Sequence, residues 1–196
     1  MSVHALRAAR PRRETRPPLL DVAAEVLVAN PAASLAEVAE AAGIGRTTLH
    51  KHYATRDDLL RAVGHRTVDR WEQALDGVAD GPDGGLAAIV AAMVPIGSQL
   101  GFLWRTSIPD RDRALKERAG GTEQRTLAVL RRAQDLGVLA GRTPEWWLLD
   151  TFYSLIYVAA QSVADGQLAP NDAPGLVMST FLHGIGAPAP RPAAPR

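Results

Sequence analysis

Apolar residues in this chain recur three and four positions apart and almost nowhere alternate, a periodicity that leaves little room for any fold but a helical one. Leu20, Ala23, Ala24, Leu27 and Val28 follow the i, i+3, i+4, i+7, i+8 spacing of a single helix face. Runs of alternating β-branched residues bounded by Asn-Gly or Asp-Gly turns are not found. The chain is therefore expected to be all-α, with about nine helices. At 196 residues it has the length for one or two domains and a sizeable core. The absence of cysteine excludes a disulfide scaffold, a thiolate metal site and a cysteine nucleophile.

The helix breaks are written in turn and cap residues. Pro17 and Pro18 suit a first turn, and Asn30 before Pro31 is pushed out of helical dihedrals, so the first helix should end near Ala29. Ser34 with Glu37 three residues later reads as a capping box opening a second helix, whose apolar face is Leu35, Val38, Ala39 and Ala42. Gly43 should end it, and only Ile44 and Gly45 precede the next helical stretch, Arg46 to Tyr53. Thr55 and Asp58 repeat the capping signature and open a long fourth helix over 55–77. Further helices are expected at 84–104, 109–118, 121–136, 144–164 and 172–185. Gly81-Pro82, Pro109, Gly120-Gly121, Gly141 and Pro170 are taken as the breaks between them. The longest mostly apolar stretch on this reading, Trp146 to Ala160, is interrupted by Asp150, Thr151 and Ser154 and falls short of the ~20 residues of a membrane span. The first residues carry charge without an apolar core, which argues against a secretory signal. A soluble, cytoplasmic protein without a membrane partner is expected.

Charge is unevenly placed. Residues 1–70 hold 11 Lys and Arg against 8 Asp and Glu, whereas residues 71–196 hold 11 against 13. Arg7, Arg10, Arg12, Arg13 and Arg16 crowd the first 16 residues, opposed only by Glu14. A basic arm of this kind suits phosphate contact, and equally a solvated terminus. It is read as a disordered basic arm over 1–16, and the Pro- and Ala-rich residues 186–196 as a disordered tail. Between Ser34 and Leu60, two short helices joined by a glycine-containing turn make a helix-turn-helix, here placed in a domain spanning 17–62. Ala39 is small where the helices must approach, Ile44 plugs the turn, and Leu49 and Tyr53 face inward. Arg46, Thr47, Thr48, His50 and Lys51 are left on the outer sides of the third helix, and these are side chains that bond phosphates or base edges. Such a helix lies in the major groove with its N-terminal residues nearest the bases.

The residues LLDVAAEVL, SLAEVAEAAGI and GRTTLHKHYATRDDLL resemble the TetR family of bacterial transcriptional regulators. The most specific part is the closing aromatic-x-x-basic-acidic-acidic-Leu-Leu of Tyr53, Arg56, Asp57, Asp58, Leu59 and Leu60. The likeness covers residues 13–62, about a quarter of the chain. Residues 63–196 share only the family's length and helical texture. Position by position, the resemblance implies that Arg46 and Thr47 sit near base edges, and that Thr48, His50, His52 and the helix start at Arg56 meet phosphates. Together with Lys51 and with Arg12 and Arg13 of the arm, these are the candidate DNA contacts. Two positions depart from the family pattern. Gly45 stands where a serine or threonine usually caps the recognition helix, and His50 replaces a tyrosine. An imidazole is shorter and becomes a better phosphate partner when protonated.

Residues 63–185 are expected to form a helical ligand-binding and dimerisation domain. Aromatic and soft apolar residues gather there, and most such residues serve as core. Trp71, Met93, Phe102 and Trp104 are the candidate ligand contacts from its first half, with Trp147, Tyr153 and Tyr157 from the apolar helix at 144–164. A seam of Val177, Thr180, Phe181 and Gly184 on the last helix suits helix packing, and the resemblance implies dimerisation through the last two helices. His50 and His52, at i and i+2, point to different faces and make no metal pair. His65, Asp69 and Glu72 share one side of the fourth helix and are read as a solvated face or a pocket polar group, since no nucleophile–base constellation accompanies them. No cofactor and no enzymatic activity are expected. The sequence thus points to a homodimeric transcriptional regulator, a repressor released from a palindromic operator by a small apolar or aromatic effector. The alternative is a helical small-molecule-binding protein that does not act through DNA.

Overall fold

The structure, a computed structural model, describes residues 18–78 and 81–184, and every regular element among them is helical. In chain order these are α1 (Leu19–Ala29), α2 (Leu35–Ala41), α3 (Arg46–His52), α4 (Arg56–Asp76), α5 (Leu86–Met93), a 3₁₀ turn (Val94–Ile96), α6 (Gly97–Arg105), α7 (Ile108–Arg111), α8 (Arg113–Asp135), α9 (Glu145–Ala164) and α10 (Ala173–His183). Pro95 lies in the 3₁₀ turn, so α5 and α6 read as one long helix kinked at a residue that cannot donate a backbone bond. The expected arm, Arg12 and Arg13 included, and the expected tail lie outside the described residues.

Both expected capping boxes are present. The Ser34 amide donates to Glu37 Oε2 at 2.7 Å and the Glu37 amide to Ser34 Oγ at 3.3 Å. Thr55 and Asp58 repeat the exchange at 3.0 and 3.1 Å. Gly43, at φ 64°, closes α2: its amide donates to the Glu40 carbonyl and that of Ile44 to the Ala39 carbonyl. This pair of hydrogen bonds satisfies two end carbonyls and turns the chain sharply enough to start α3 two residues later.

Apolar burial falls into two clusters that meet along α4. The first joins Ala23, Leu27, Val38, Ala39 and Leu49 of the three short helices to Leu59, Val63 and Val68 of α4, and also takes in Phe102, Leu103, Ile108 and Leu115. The second contains Trp71 and Leu75 of α4 and the buried faces of α5, α8, α9 and α10. The helix-turn-helix core therefore extends past residue 62 and is finished by residues of α6, α7 and α8. Gly64 allows this, because a Cβ there would lie 2.7 Å from a Leu115 methyl. Polar bonds tie the same helices. Arg66 donates two hydrogen bonds to the Asp21 carboxylate of α1 at 2.9 and 3.1 Å. Arg118 of α8 reaches Asp69 and Glu72 at 2.7 Å each and donates to His65 Nδ1, leaving His65 Nε2 to donate to Asp112 at 3.0 Å. The expected solvated face on α4 is thus an ion-pair ladder to α8.

Two expectations need correction. The helices expected at 109–118 and 121–136 are one helix, α8, from Arg113 to Asp135. Gly120 and Gly121 carry helical backbone because Leu115, Leu127 and Leu130 bury the face on either side of them, and tertiary packing outweighs a local cost of roughly 1 kcal/mol per glycine. The seam on α10 packs against α9: Val177 is buried and Phe181 meets Phe152 edge-on at 5.8 Å, while Gly184 is exposed. Trp146 to Ala160 is not the longest apolar stretch: among the described residues Leu86–Arg105 is long and apolar enough to cross a membrane. Two-thirds of its most apolar window is buried inside the protein, as the α5–α6 core helix.

Candidate nucleic-acid interface and ligand cleft

Leu49 anchors α3, its side chain fully buried beneath α2. At ~100° per residue this orientation sends Thr47 and Lys51 directly away from the core, with Arg46 and His50 on one flank and Thr48 and His52 on the other. All six side chains are exposed. They form three i, i+4 pairs on a helix two turns long, which presents one wide polar and basic face. Gly45 starts α3 in extended backbone with no side-chain cap, leaving the first amides of the helix open at the end where Arg46 and Thr47 stand. An exposed helix with free N-terminal amides and cationic flanks can take phosphates and base edges together.

Arg56 is placed differently from the other expected contacts. Its Nε donates to the Ala33 carbonyl at 3.1 Å, and its Nη2 donates to the Pro31 carbonyl. The guanidinium thereby clasps the α1–α2 turn to the start of α4, satisfying carbonyls that proline-containing turns leave open. Asp57 and Asp58 occupy the first turn of the same helix, where they complement its dipole and oppose a phosphate.

A cleft of about 670 Å³ opens between α6, α8 and α9. Gly101, Trp104 and Arg105 line it from α6, Glu123 from α8, and Trp146, Leu149, Asp150, Tyr153, Ser154 and Tyr157 from α9. The α9 residues sit at i, i+3, i+4, i+7, i+8 and i+11, a single stripe of that helix. Trp104 and Tyr153 pack with centroids 4.4 Å apart and their planes tilted by 57°, and both meet the buried Trp71 edge-on at 5.8 Å. Glu123 and Asp150 have no hydrogen-bond or ion-pair partner among the described residues, and burial, with Asp150 adding to it, holds the Glu123 carboxyl above its ordinary range. Burial likewise pushes the Tyr153 phenol far up, so its hydroxyl stays neutral. An aromatic cleft holding two carboxylates, neither ion-paired, against the single guanidinium of Arg105 favours a flat molecule that carries positive charge.

Of the expected ligand contacts, Trp104, Tyr153 and Tyr157 line this cleft. The other four do not. Trp71 is fully buried and donates from Nε1 to Thr126 at 3.2 Å, so it backs the cleft wall. Met93 is core. Phe102 is buried in the first cluster and touches a separate cleft at the α4–α6 junction. Trp147, 55% exposed, faces a groove beside α10. Sequence reasoning missed Glu123, Arg105 and Asp150, although Asp150 and Trp146 belong to the α9 stripe and its period was available. Glu123 and Arg105 carry no comparable signal, since only the packing of α8 and α6 on α9 brings them there.

Residues 19–63 match the family profile described as bacterial regulatory proteins, tetR family. The chain is 28% identical over 177 residues to the HTH-type transcriptional repressor LfrR of Mycolicibacterium smegmatis, covering 89% of this chain and 92% of that one. It is 27% identical over 179 residues to the HTH-type transcriptional regulator NfxB of Pseudomonas aeruginosa, covering 87% and 94%. A crystal structure of TetR-like LfrR in complex with proflavine superposes with a TM-score of 0.72 at 28% identity, covering 86% of this chain and 94% of that one.

Proposed function

We propose, for a chain that is a TetR-family transcriptional regulator by its DNA-binding domain, that it acts as a homodimeric repressor released from a palindromic operator by an aromatic cation. The observation that carries this reading is the cleft itself, with packed aromatic walls, two carboxylates that no cation pairs, and a back wall, Trp71, that belongs to the helix leading out of the DNA-binding unit. A relative similar along most of its length is a repressor, and its structure is described in complex with proflavine, a flat aromatic. Dimerisation is supported by apolar side chains left open on the last two helices, among them Val158 and Leu176. Arg46, Thr47 and Lys51 read bases or lie closest to them. Thr48, His50 and His52 meet the backbone, joined by Arg12 and Arg13 of the arm. Arg56 acts on DNA through the turn it clasps.

The test is fluorescence anisotropy on duplex fragments from upstream of the chain's own gene, with and without proflavine. Binding should weaken steeply with salt, with a log–log slope of several units at ~0.9 per neutralised phosphate. Micromolar proflavine should release the fragment. A slope near zero would remove the DNA reading and favour a binding protein that does not act through DNA. Release by salt but not by proflavine would remove the aromatic-cation reading alone.

A further inference from the structure

Resting on the reading of the α6–α8–α9 cleft as the effector site, we propose that Arg105 is a built-in competitor. Its guanidinium occupies the aromatic face that an incoming cation would use, and so sets both the affinity and the charge selectivity of the cleft. The Arg105 Cζ lies 4.4 Å from the centre of the Tyr157 ring, within the range of a cation–π contact. One turn earlier on the same helix, Gly101 lets that ring lie against the α6 backbone, because any Cβ there would strike it. Tyr157 is thereby held between α6 and the cleft, and a second aromatic that stacks on it competes with Arg105 for it.

Arg105 is suited to leave. Its side chain is exposed, and among the described residues it makes no hydrogen bond or ion pair, so the ring is its one charge partner. Glu123 and Asp150 line the same cleft, and their field favours whichever cation is present. A ligand cation thus exchanges with a protein cation of the same sign, whereas a neutral aromatic displaces that charge and brings none to the carboxylates. The exchange also reaches the rest of the fold. Arg105 is the last residue of α6, three positions before Ile108, whose side chain packs at Gly64 on α4 inside the helix-turn-helix core. Freeing Arg105 loosens the end of α6 next to the helix that carries the DNA-binding unit.

The experiment measures binding of proflavine, and of acridone as a neutral three-ring comparison, to the full chain by fluorescence. The proteins are wild type, Arg105→Met, Arg105→Lys, Glu123→Gln and Trp104→Ala, each checked for folding by its thermal transition. Arg105→Met keeps the stem and removes the charge. It should tighten proflavine by about two- to five-fold or more, the equivalent of an exposed cation–π contact, and should tighten acridone less. Arg105→Lys should remain near wild type. Unchanged or weaker proflavine binding by Arg105→Met, alongside a loss in Glu123→Gln, overturns the competitor and leaves the cleft standing. Proflavine binding that neither Glu123→Gln nor Trp104→Ala alters places the probe elsewhere and overturns the cleft reading itself. Absence of binding to both wild type and Arg105→Met overturns both.

Discussion

Asp21 and Arg66 join the first helix to the fourth through two parallel hydrogen bonds, and both side chains are mostly buried. The Arg66 guanidinium holds the Asp21 carboxyl below its ordinary value of 3.8. A carboxyl lowered in the folded state stabilises the fold above its ordinary range and loses that contribution as pH falls through the lowered value. Asp21→Asn should therefore cost about 1–2 kcal/mol at neutral pH, read as a lower midpoint in urea, and the difference from wild type should shrink in acid. Glu123 has the opposite sign. Its raised carboxyl takes up a proton more readily in the fold than in the open chain, so its ionised form weakens the fold and strengthens a bound cation. Proflavine affinity should rise with pH through the mildly acidic range, and Glu123→Gln should flatten that rise while raising the thermal midpoint of the free protein. On the recognition helix, Arg46→Ala should relax base preference in a binding-site selection and cost ~1–3 kcal/mol at the preferred site. A uniform loss over all sequences would assign Arg46 to phosphate.

Glycines separate close-packed helices from open ones. Gly97 and Gly101 lie one turn apart on α6 where it crosses α9, and a Cβ at Gly97 would sit 2.7 Å from the Ile156 carbonyl oxygen. That neighbour is backbone and cannot swing aside, so Gly97→Ala should destabilise by roughly 1–3 kcal/mol despite the better helix propensity of alanine. Gly120 and Gly121 on α8 meet nothing within 4 Å. There the propensity gain is unopposed, and each change to alanine should stabilise by about 0.4–1 kcal/mol. Paired thermal melts check both signs, and a gain at Gly97 or a loss at Gly120 would contradict the packing described for these helices.

At the scale of the molecule, α4 is the common part. The stretch from the turn clasped by Arg56 to the wall formed by Trp71 spans roughly 22 Å of this 21-residue helix. The edge-on contacts of Trp71 with Trp104 and Tyr153 continue from Tyr153 to Phe152 and on to Phe181 of α10. A molecule that moves Trp104 or Tyr153 therefore presses on α4 and on the last helix pair together. Operator half-sites recur every ~34–36 Å, so in the proposed dimer a small tilt of α4 in each subunit would disturb simultaneous docking. Coupling of ~1–3 kcal/mol should weaken operator binding about 5–150-fold, and operator DNA must weaken proflavine binding by the same factor. Unequal factors in the two titrations would mean that the two ligands do not share one conformational equilibrium. Trp71 is a poor place to probe this by truncation. It is fully buried, and Trp71→Ala should cost ~3–5 kcal/mol of stability before any change in coupling is read.

The helices and their ends were determined locally, by caps, turn glycines and apolar period, and were legible in the sequence for that reason. Ser34 with Glu37, Thr55 with Asp58, and Gly43 act on their own neighbours within a few residues. The exposed face of α3 follows as directly, because burying Leu49 dictates where the other six side chains point. What needed the tertiary structure was everything set by the meeting of distant segments. Nothing local makes Gly120 and Gly121 helical, turns Arg56 toward the carbonyls of Pro31 and Ala33, or moves Trp71, Met93 and Phe102 from pocket to core. The cleft is the clearest case. Its aromatic stripe, with Asp150, lies on one helix and has a period, but its other two charges, Arg105 and Glu123, come from α6 and α8, and only the packing of three helices sets them facing one ring system.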